Sequence, residues 1–249
     1  MVSVCVATYN GEKYIKTQLE SILTQLESSD EVIISDDGST DNTLAIVQEL
    51  GDKRIKIYNH KCDIALRKLK LGGYRCVAQN FENAISHATG DYIFLADQDD
   101  VWEMNRIQVV LNLLKEYEVV LCNYKIINEI GEIISDVQYD KEHYPIKNSF
   151  IFNILKSRFM CCCLAFKKDL CRFILPFPNK LMSCDQWVGS MGTLVGGAFF
   201  TTETVHLYRR HGKNVSTTSE KSNNSLLFKL YFRLYMFVLI LMRYLRTKK

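Results

Sequence analysis

Asp97, Gln98, Asp99 and Asp100 close the stretch YIFLADQDDVW, in which an apolar run from Tyr92 stops at three carboxylates and is followed by Trp102. Carboxylates packed at the end of a buried strand repel one another and resist desolvation, and a cation relieves both problems. Magnesium or manganese takes hard oxygen ligands and keeps part of its coordination for water and phosphate, so a few carboxylates suffice when a diphosphate supplies the rest. The competing reading is that these acids only cap and charge the start of the next helix, with Trp102 as a core anchor. A second acidic cluster, Asp36-Asp37-Gly38-Ser39-Thr40-Asp41, follows the apolar run Glu31 to Ser35. It reads as turn and cap chemistry, with Ser39 or Thr40 capping a helix, or as a carboxylate that accepts hydrogen bonds from a base or a ribose. Neither G-x-G-x-x-G nor G-x-x-x-x-G-K-[ST] occurs, so a Rossmann dinucleotide site or a P-loop lacks its fingerprint.

Chemistry at these places requires elements that end there. Val2 to Ala7 is an apolar run of strand length ending at Thr8, Tyr9, Asn10 and Gly11, and Ile15, Leu19, Ile22, Leu23 and Leu26 then mark a helix face. Glu31 to Ser35 is the second strand, Leu44, Val47 and Leu50 the second helix face, and Ile55 to Tyr58 the third strand. Val77 to His87 reads as a helix, Tyr92 to Ala96 as the fourth strand, and Ile107, Val110, Leu111 and Leu114 as a helix face. This alternation predicts βαβ crossovers and a mainly parallel sheet flanked by helices, an α/β fold. From about residue 119 the rhythm weakens: a strand over Val119 to Ile127, polar material around Glu129 to Asn148, then a helix and a cysteine-bearing strand.

Length permits a full-sized core, and 47% hydrophobic with 24% charged residues excludes a disordered chain or a polytopic membrane protein. A net charge of +3 is too weak to imply nucleic acid. Nine cysteines lack metal-site spacing, and Cys161, Cys162 and Cys163 are consecutive among apolar residues, so the cysteines read as reduced core residues of a cytosolic protein. The apolar stretch Val2 to Ala7 is too short for a signal peptide and has no basic flank, which places the expected catalytic part in the cytoplasm.

The segments VSVCVATYNGEKYI, EVIISDDGSTDNT and GDYIFLADQDDVW, in this order, resemble the successive signatures of family 2 glycosyltransferases, which have the GT-A fold. The resemblance covers residues 2 to about 216 and is strongest before residue 106. It implies a nucleoside diphosphate sugar donor and a Mn2+ or Mg2+ ion on its diphosphate. It also implies that Thr8, Tyr9, Asn10, Asp36, Asp37 and Gln98 lie at the nucleotide sugar. Asp97 and Asp99 then form the DxD pair, Asp99 foremost at the metal, and Asp100 stays open. SCDQWVGSMG from Ser183 and LYRRHGKNVS from Leu207 resemble a subgroup that includes bacterial rhamnosyltransferase-like enzymes of surface polysaccharide assembly. A His-Asp-Trp-Trp element is common there; here Cys184 replaces the His and Gln186 the first Trp, while Asp185 and Trp187 remain. The resemblance makes Asp185 the general base, sets Trp187 beside the donor and brings His211 to the metal or diphosphate, against a purely hydrogen-bonded His211. Arg209 and Arg210 read as phosphate partners or solvated charges, and basic Lys61, Arg67, Lys68, Lys70 and Arg75 as a solvated loop rather than phosphate contacts.

The implied activity is inverting transfer of a rhamnose- or hexose-type sugar to a hydroxyl of a glycan or lipid-linked acceptor. Two rival readings are a non-catalytic binding or scaffold domain, which the changes at Cys184 and Gln186 keep open, and a nucleotidyltransferase, for which no glycine- and lysine-rich phosphate loop is present. Residues 1–216 read as the GT-A unit, with a nucleotide-binding half (1–118) and an acceptor-side half (119–216). Residues 217–249 read as a linker, TTSEKSNNS, and a basic amphipathic helix from Leu226. The charge-free run Leu234 to Met242 falls short of the ~20 residues that span a bilayer. The helix therefore reads as an interfacial anchor on anionic lipid at the inner face of the membrane, or as one docked on the domain or on a second copy in a homodimer.

Overall fold

A computed structural model describes residues 1–69, 72–136, 148–179, 181, 183–212, 214–215 and 225–248. The linker segment 217–224 and Lys70 lie outside the described residues. Val2–Thr8 forms β1, an apolar run that suits a central strand covered on both faces. It is followed by α1 (Ile15–Leu23), whose Ile15, Leu19 and Ile22 recur at helical spacing and are buried. Then come β2 (Glu31–Asp36), α2 (Thr43–Glu49), β3 (Ile55–Asn59), the short α3 (Ile64–Arg67), α4 (Gly72–His87) and β4 (Tyr92–Asp97). The strands β3, β2, β1 and β4 lie side by side in that order and all run parallel.

Register decides what the strand ends share. Thr8 pairs with Asp36 across β1 and β2, and Ala7 pairs with Asp97 across β1 and β4, so both acidic clusters emerge from the same carboxyl edge, one on each side of β1. That edge is where open α/β sheets place ligands, because the crossovers leave a crevice above the strand ends.

Beyond β4 come β5 (Val101–Trp102), α5 (Arg106–Leu114), β6 (Val119–Ile127), β7 (Ile133–Ser135), α6 (Phe150–Leu155), β8 (Leu164–Lys167), α7 (Cys171–Ile174), α8 (Cys184–Val195), β9 (Ala198–Arg209) and α9 (Leu226–Lys248). The sheet continues β4-β8-β6-β9-β5, with β8 antiparallel to both neighbours, β9 parallel to β6, and β5 antiparallel to β9. Its parallel character thus resides in the first four strands, and the remainder is mixed. Both halves contribute strands to one nine-stranded sheet.

Two readings of the cysteines need correction. Cys161–Cys163 form a 3₁₀ turn that leads into β8, not a strand, although all three side chains are buried. Cys62 and Cys76 are joined in a disulfide with their Cα atoms 5.5 Å apart, so the expectation of wholly reduced cysteines fails for this pair. The other seven are free. The pairing has no sequence pattern because α3 and its flanking turns, rather than a short loop of fixed spacing, bring the two residues together.

Helix α9 docks on the domain by one face. Met236 and Ile240 are buried, Phe237 packs on Phe150, Tyr244 stacks on Phe173, and Arg243 donates to the carbonyls of Leu175 (3.0 Å) and Pro176 (2.8 Å). Among the described residues no helix is long and apolar enough to cross a membrane.

Candidate active site

The loop after β2 is built around Asp36. Its Oδ1 accepts from the Thr8 hydroxyl (2.9 Å) and the Ser39 hydroxyl (2.6 Å), and its Oδ2 accepts from the Ser39 amide (2.8 Å). Asp36 is buried and both oxygens are engaged, so it organises the turn, and Gly38 completes it at φ +75°, a conformation open to glycine. Asp37 beside it is buried as well, and its partners lie on the far side of the turn. Neither Ser39 nor Thr40 caps α2: the Thr43 amide is satisfied by Asp41 Oδ1 (3.0 Å) instead. Asn10, at φ 51°, ties the two loops together, its Oδ1 accepting from the Thr40 amide and its own amide donating to the Ser39 hydroxyl, both at 2.8 Å.

Asp37 lies beneath a basic cover. Its carboxylate contacts His60 Nδ1 (2.9 Å), the Cys62 amide and the Arg67 guanidinium. The same guanidinium sits 3.6 Å above the ring of Tyr9, which is partly exposed. Arg67 thus covers both Tyr9 and Asp37, and it turns inward from the loop expected to be merely solvated. Lys61 and Lys68, by contrast, are exposed.

The DQDD loop divides its acids between two tasks. Gln98 accepts from the Tyr9 amide (2.8 Å) and donates to the Tyr9 carbonyl (3.0 Å), pinning the loop after β1. Gly11 is required beside it, since a Cβ there would fall 2.3 Å from Gln98 Oε1. Asp100 is fully buried and accepts from the Arg209 amide (2.9 Å) and from His206 Nε2 (3.0 Å). The Arg106 guanidinium donates to His206 Nδ1 and to the Cys162 carbonyl (2.6 Å), which fixes the proton of the neutral imidazole on Nε2, facing Asp100. Burial and the Arg106 charge hold His206 well below the ordinary histidine range. Asp100 is thereby a structural post under the loop. Arg209 serves the same purpose: its guanidinium donates to the carbonyls of Asp99, Asn128 and Glu129 through Nε and Nη1.

Asp99 faces the other way. Its Oδ2 lies 2.7 Å from His211 Nε2, and the His211 ring stacks on Tyr14. Asp97 is pushed well above the usual carboxylate range by withdrawal from water and by the charges of Asp100 and Asp99. The same causes, burial and then Asp99, push Asp100 up to about 8.

Asp185 opens α8. One oxygen accepts from the Ser183 hydroxyl and from the Gln186 amide (2.8 Å), and burial raises its carboxyl. Its charge adds to the effects that raise Asp97, 88 positions away in sequence. Cys184, in the place of the expected His, contacts the Cys161 sulfur at 2.7 Å and points into the core. Trp187 is fully buried and donates to the Ile174 carbonyl (3.1 Å), so its expected place beside the donor is not available to its side chain. It instead anchors α8 to α7.

Residues 3–174 match the model of Glycosyl transferase family 2. The chain belongs to that family. A UDP-Glc:alpha-D-GlcNAc-diphosphoundecaprenol beta-1,3-glucosyltransferase of Escherichia coli is 28% identical over 149 residues, 57% of this chain and 54% of that protein. A dTDP-rhamnosyl transferase of Shigella flexneri is 38% identical over 112 residues, 44% of this chain and 36% of that protein. Among solved structures, the mannosyltransferase of Pyrobaculum calidifontis in complex with GDP-Man and Mn2+ shares the fold at a TM-score of 0.60 and 20% identity, over 86% of this chain and 58% of that one. The matched region spans 54%, 36% and 58% of the length of these three in turn.

In this family 2 glycosyltransferase the acids suit a hard divalent ion. Adjacent ligands of an octahedral Mn2+ or Mg2+ at ~2.1 Å stand roughly 3 Å apart, and Asp99 Oδ2 and His211 Nε2 are separated by 2.7 Å. Asp97 belongs to a neighbouring cluster, its carboxylate within 4.8 Å of those of Asp100 and of the Cys162 sulfur. Cys162 and Arg67 were not legible as site residues. Cys162 lies in an apolar run, and the one signal for Arg67 was a basic loop of the kind that is usually solvated.

Proposed function

We propose that this glycosyltransferase moves a sugar of rhamnose or hexose type from a nucleoside diphosphate donor to a hydroxyl of a glycan or lipid-linked acceptor, with inversion, in bacterial surface polysaccharide synthesis. The observation that carries the reading is the emergence of both acidic clusters from one carboxyl edge of the parallel strands, on either side of β1, with the charge of Asp185 acting on Asp97. Tyr9 and Asp37 take the base, with Arg67 sharing or yielding its place over both. Asp99 and His211 hold Mn2+ or Mg2+, Asp97 lies beside them, and the bound ion supplies positive charge to the departing diphosphate. Asp185 receives the proton of the acceptor hydroxyl; its raised pKa makes it a stronger base than an ordinary carboxylate, and the Gln186 amide and Ser183 hydroxyl orient it. The Escherichia coli relative, named for a diphosphoundecaprenol acceptor, supports a lipid-linked acceptor here as well.

Helix α9 fits this setting. Leu227, Tyr231, Leu234, Val238, Met242 and Leu245 recur at three- and four-residue spacing and are exposed, opposite the docked face, while Arg246 and Lys248 add charge at the end. Such a stripe suits peripheral contact with anionic lipid at the cytoplasmic face.

The direct test is a panel of nucleotide sugars, UDP-, GDP- and dTDP-linked, with Mn2+ or Mg2+. One donor should be slowly hydrolysed to the nucleoside diphosphate and should raise the melting temperature only with metal present. A protein that binds and hydrolyses none of them is the binding or scaffold domain instead.

A further inference from the structure

A groove of ≈ 380 Å³ runs between the end of α6, the first turn of α8 and the start of α9, and Lys156, Gln186, Phe228, Lys229, Phe232 and Arg233 wall it. Three features set it apart from an ordinary seam between helices. Three cations border it and no acid does, and among the described residues neither Lys156 nor Arg233 has a carboxylate within ion-pair distance. Gln186 is only 4% exposed and its carboxamide makes no hydrogen bond to protein among the described residues; its polar atoms are not among those sealed from water, so they are open to a ligand in the groove. Gln186 also directly follows Asp185 in α8, although Asp185 itself does not line the groove.

We propose that this groove is the seat of the phosphate groups of a lipid-linked acceptor, a prenyl diphosphate sugar, with Lys156, Lys229 and Arg233 on the phosphates and the Gln186 carboxamide donating to a phosphate or sugar oxygen. Phe228 and Phe232 give the walls an apolar surface for the first carbons of the lipid. The exposed stripe of α9 begins on the same turns, at Leu227, Leu230 and Tyr231, so the chain leaves the groove toward the face that meets a membrane. Phosphate is the chemistry the cations select; the prenyl diphosphate is favoured over a phospholipid headgroup because the lining joins the chain neighbour of the proposed base, Gln186, to the phenylalanines at the start of α9. Gln186 stands where related sequences carry Trp, so the departure noted in the sequence becomes an acceptor-recognition residue. The assignment rests on the proposed transfer to a lipid-linked acceptor.

The test uses the full chain with UDP and Mn2+ present to fill the donor site, and measures binding of farnesyl diphosphate by calorimetry. Wild type should bind it saturably. The Lys156→Gln/Arg233→Gln variant should bind about tenfold more weakly for each cation removed. Gln186→Trp should also weaken it, while Lys16→Gln/Lys53→Gln, which removes the same charge from other surfaces, should not. Circular dichroism of each variant checks that it is folded. Inorganic pyrophosphate and vesicles of phosphatidylcholine with phosphatidylglycerol are the other arms: a site for the acceptor prefers farnesyl diphosphate to pyrophosphate and binds it without vesicles. Equal affinity in wild type and the groove variants, or a loss confined to vesicle binding, overturns the assignment. GDP or dTDP replaces UDP where the donor panel points to one of those nucleotides; binding of the matching nucleotide in the same samples reports separately on the donor site, so failure of all three counts against the transferase reading and not against the groove.

Discussion

Replacing Asp100 and Asp99 separately by Ala tests the division of labour within the acid loop. Asp100 is fully buried and satisfies two donors, the Arg209 amide and His206 Nε2–H. Truncation strands both, at about 1–3 kcal/mol each, or about 2–6 kcal/mol together. Relief of the repulsion from Asp99 returns part of this, so the lower half of that range is expected. At about 2–4 °C per kcal/mol for a chain of this size, Asp100→Ala should melt roughly 4–16 °C below wild type. Asp99 is partly exposed and among the described residues its carboxylate contacts His211 and Asn214, while Arg209 uses its backbone carbonyl, which Ala retains. Its loss should cost at most about 1 kcal/mol. The assays are thermal unfolding followed by circular dichroism, and Mn2+-dependent binding of the donor found in the panel. Asp99→Ala should keep its melting temperature and lose the metal dependence of donor binding. An Asp100→Ala protein as stable as wild type but deaf to Mn2+ would refute the structural role of the Arg106–His206–Asp100 chain.

Asp185→Asn should lower turnover by about 10²–10⁴ while donor binding persists, since only the proton acceptor is lost; the wild-type rate should rise with pH through an acid limb above the ordinary Asp range near 4, because burial raises this carboxyl. Trp187→Ala should destabilise the fold by about 3–5 kcal/mol, read by denaturant unfolding, and leave the donor KM of the folded fraction unchanged. Gly11→Ala should push Gln98 off the Tyr9 backbone and raise the donor KM, with a stability loss of about 1–3 kcal/mol; an unchanged KM would separate Gln98 from the nucleotide site. Asp100 is protonated up to about 8 in the fold but only to near 4 when unfolded, so the folded state binds the extra proton between these values and metal-free stability should fall as pH rises from about 4 to 8. Mn2+ should restore the melting temperature most at the upper end of that window, and a metal effect independent of pH would count against an ion beside these acids.

The first hundred residues were nearly self-explanatory. Their β-branched runs and helical faces follow local periodicity, and each acidic cluster sits where a run of that kind must end, so the strands, their parallel character and the acids at the strand ends could be read from sequence, while the order of the strands around β1 could not. Cys161 to Cys163 show the limit: an apolar run of this length fits a strand or a buried turn, and only its neighbours decide. Arg67 shows another, because a basic loop carries no mark of which residue folds inward.

The sequence by itself determined which residue types stand at the strand ends, and hence the family and the kind of chemistry. Their individual duties were decided by tertiary structure. Asp36 against Asp37, and Asp99 against Asp100, are adjacent and chemically identical in pairs, and neighbours in an extended turn point to opposite sides. One of each pair therefore meets buried donors, supplied by Ser39 and Thr8 or by His206 and Arg209, while the other meets the cleft or its cover. Those partners come from up to 109 residues away, a separation at which no local pattern survives in the sequence.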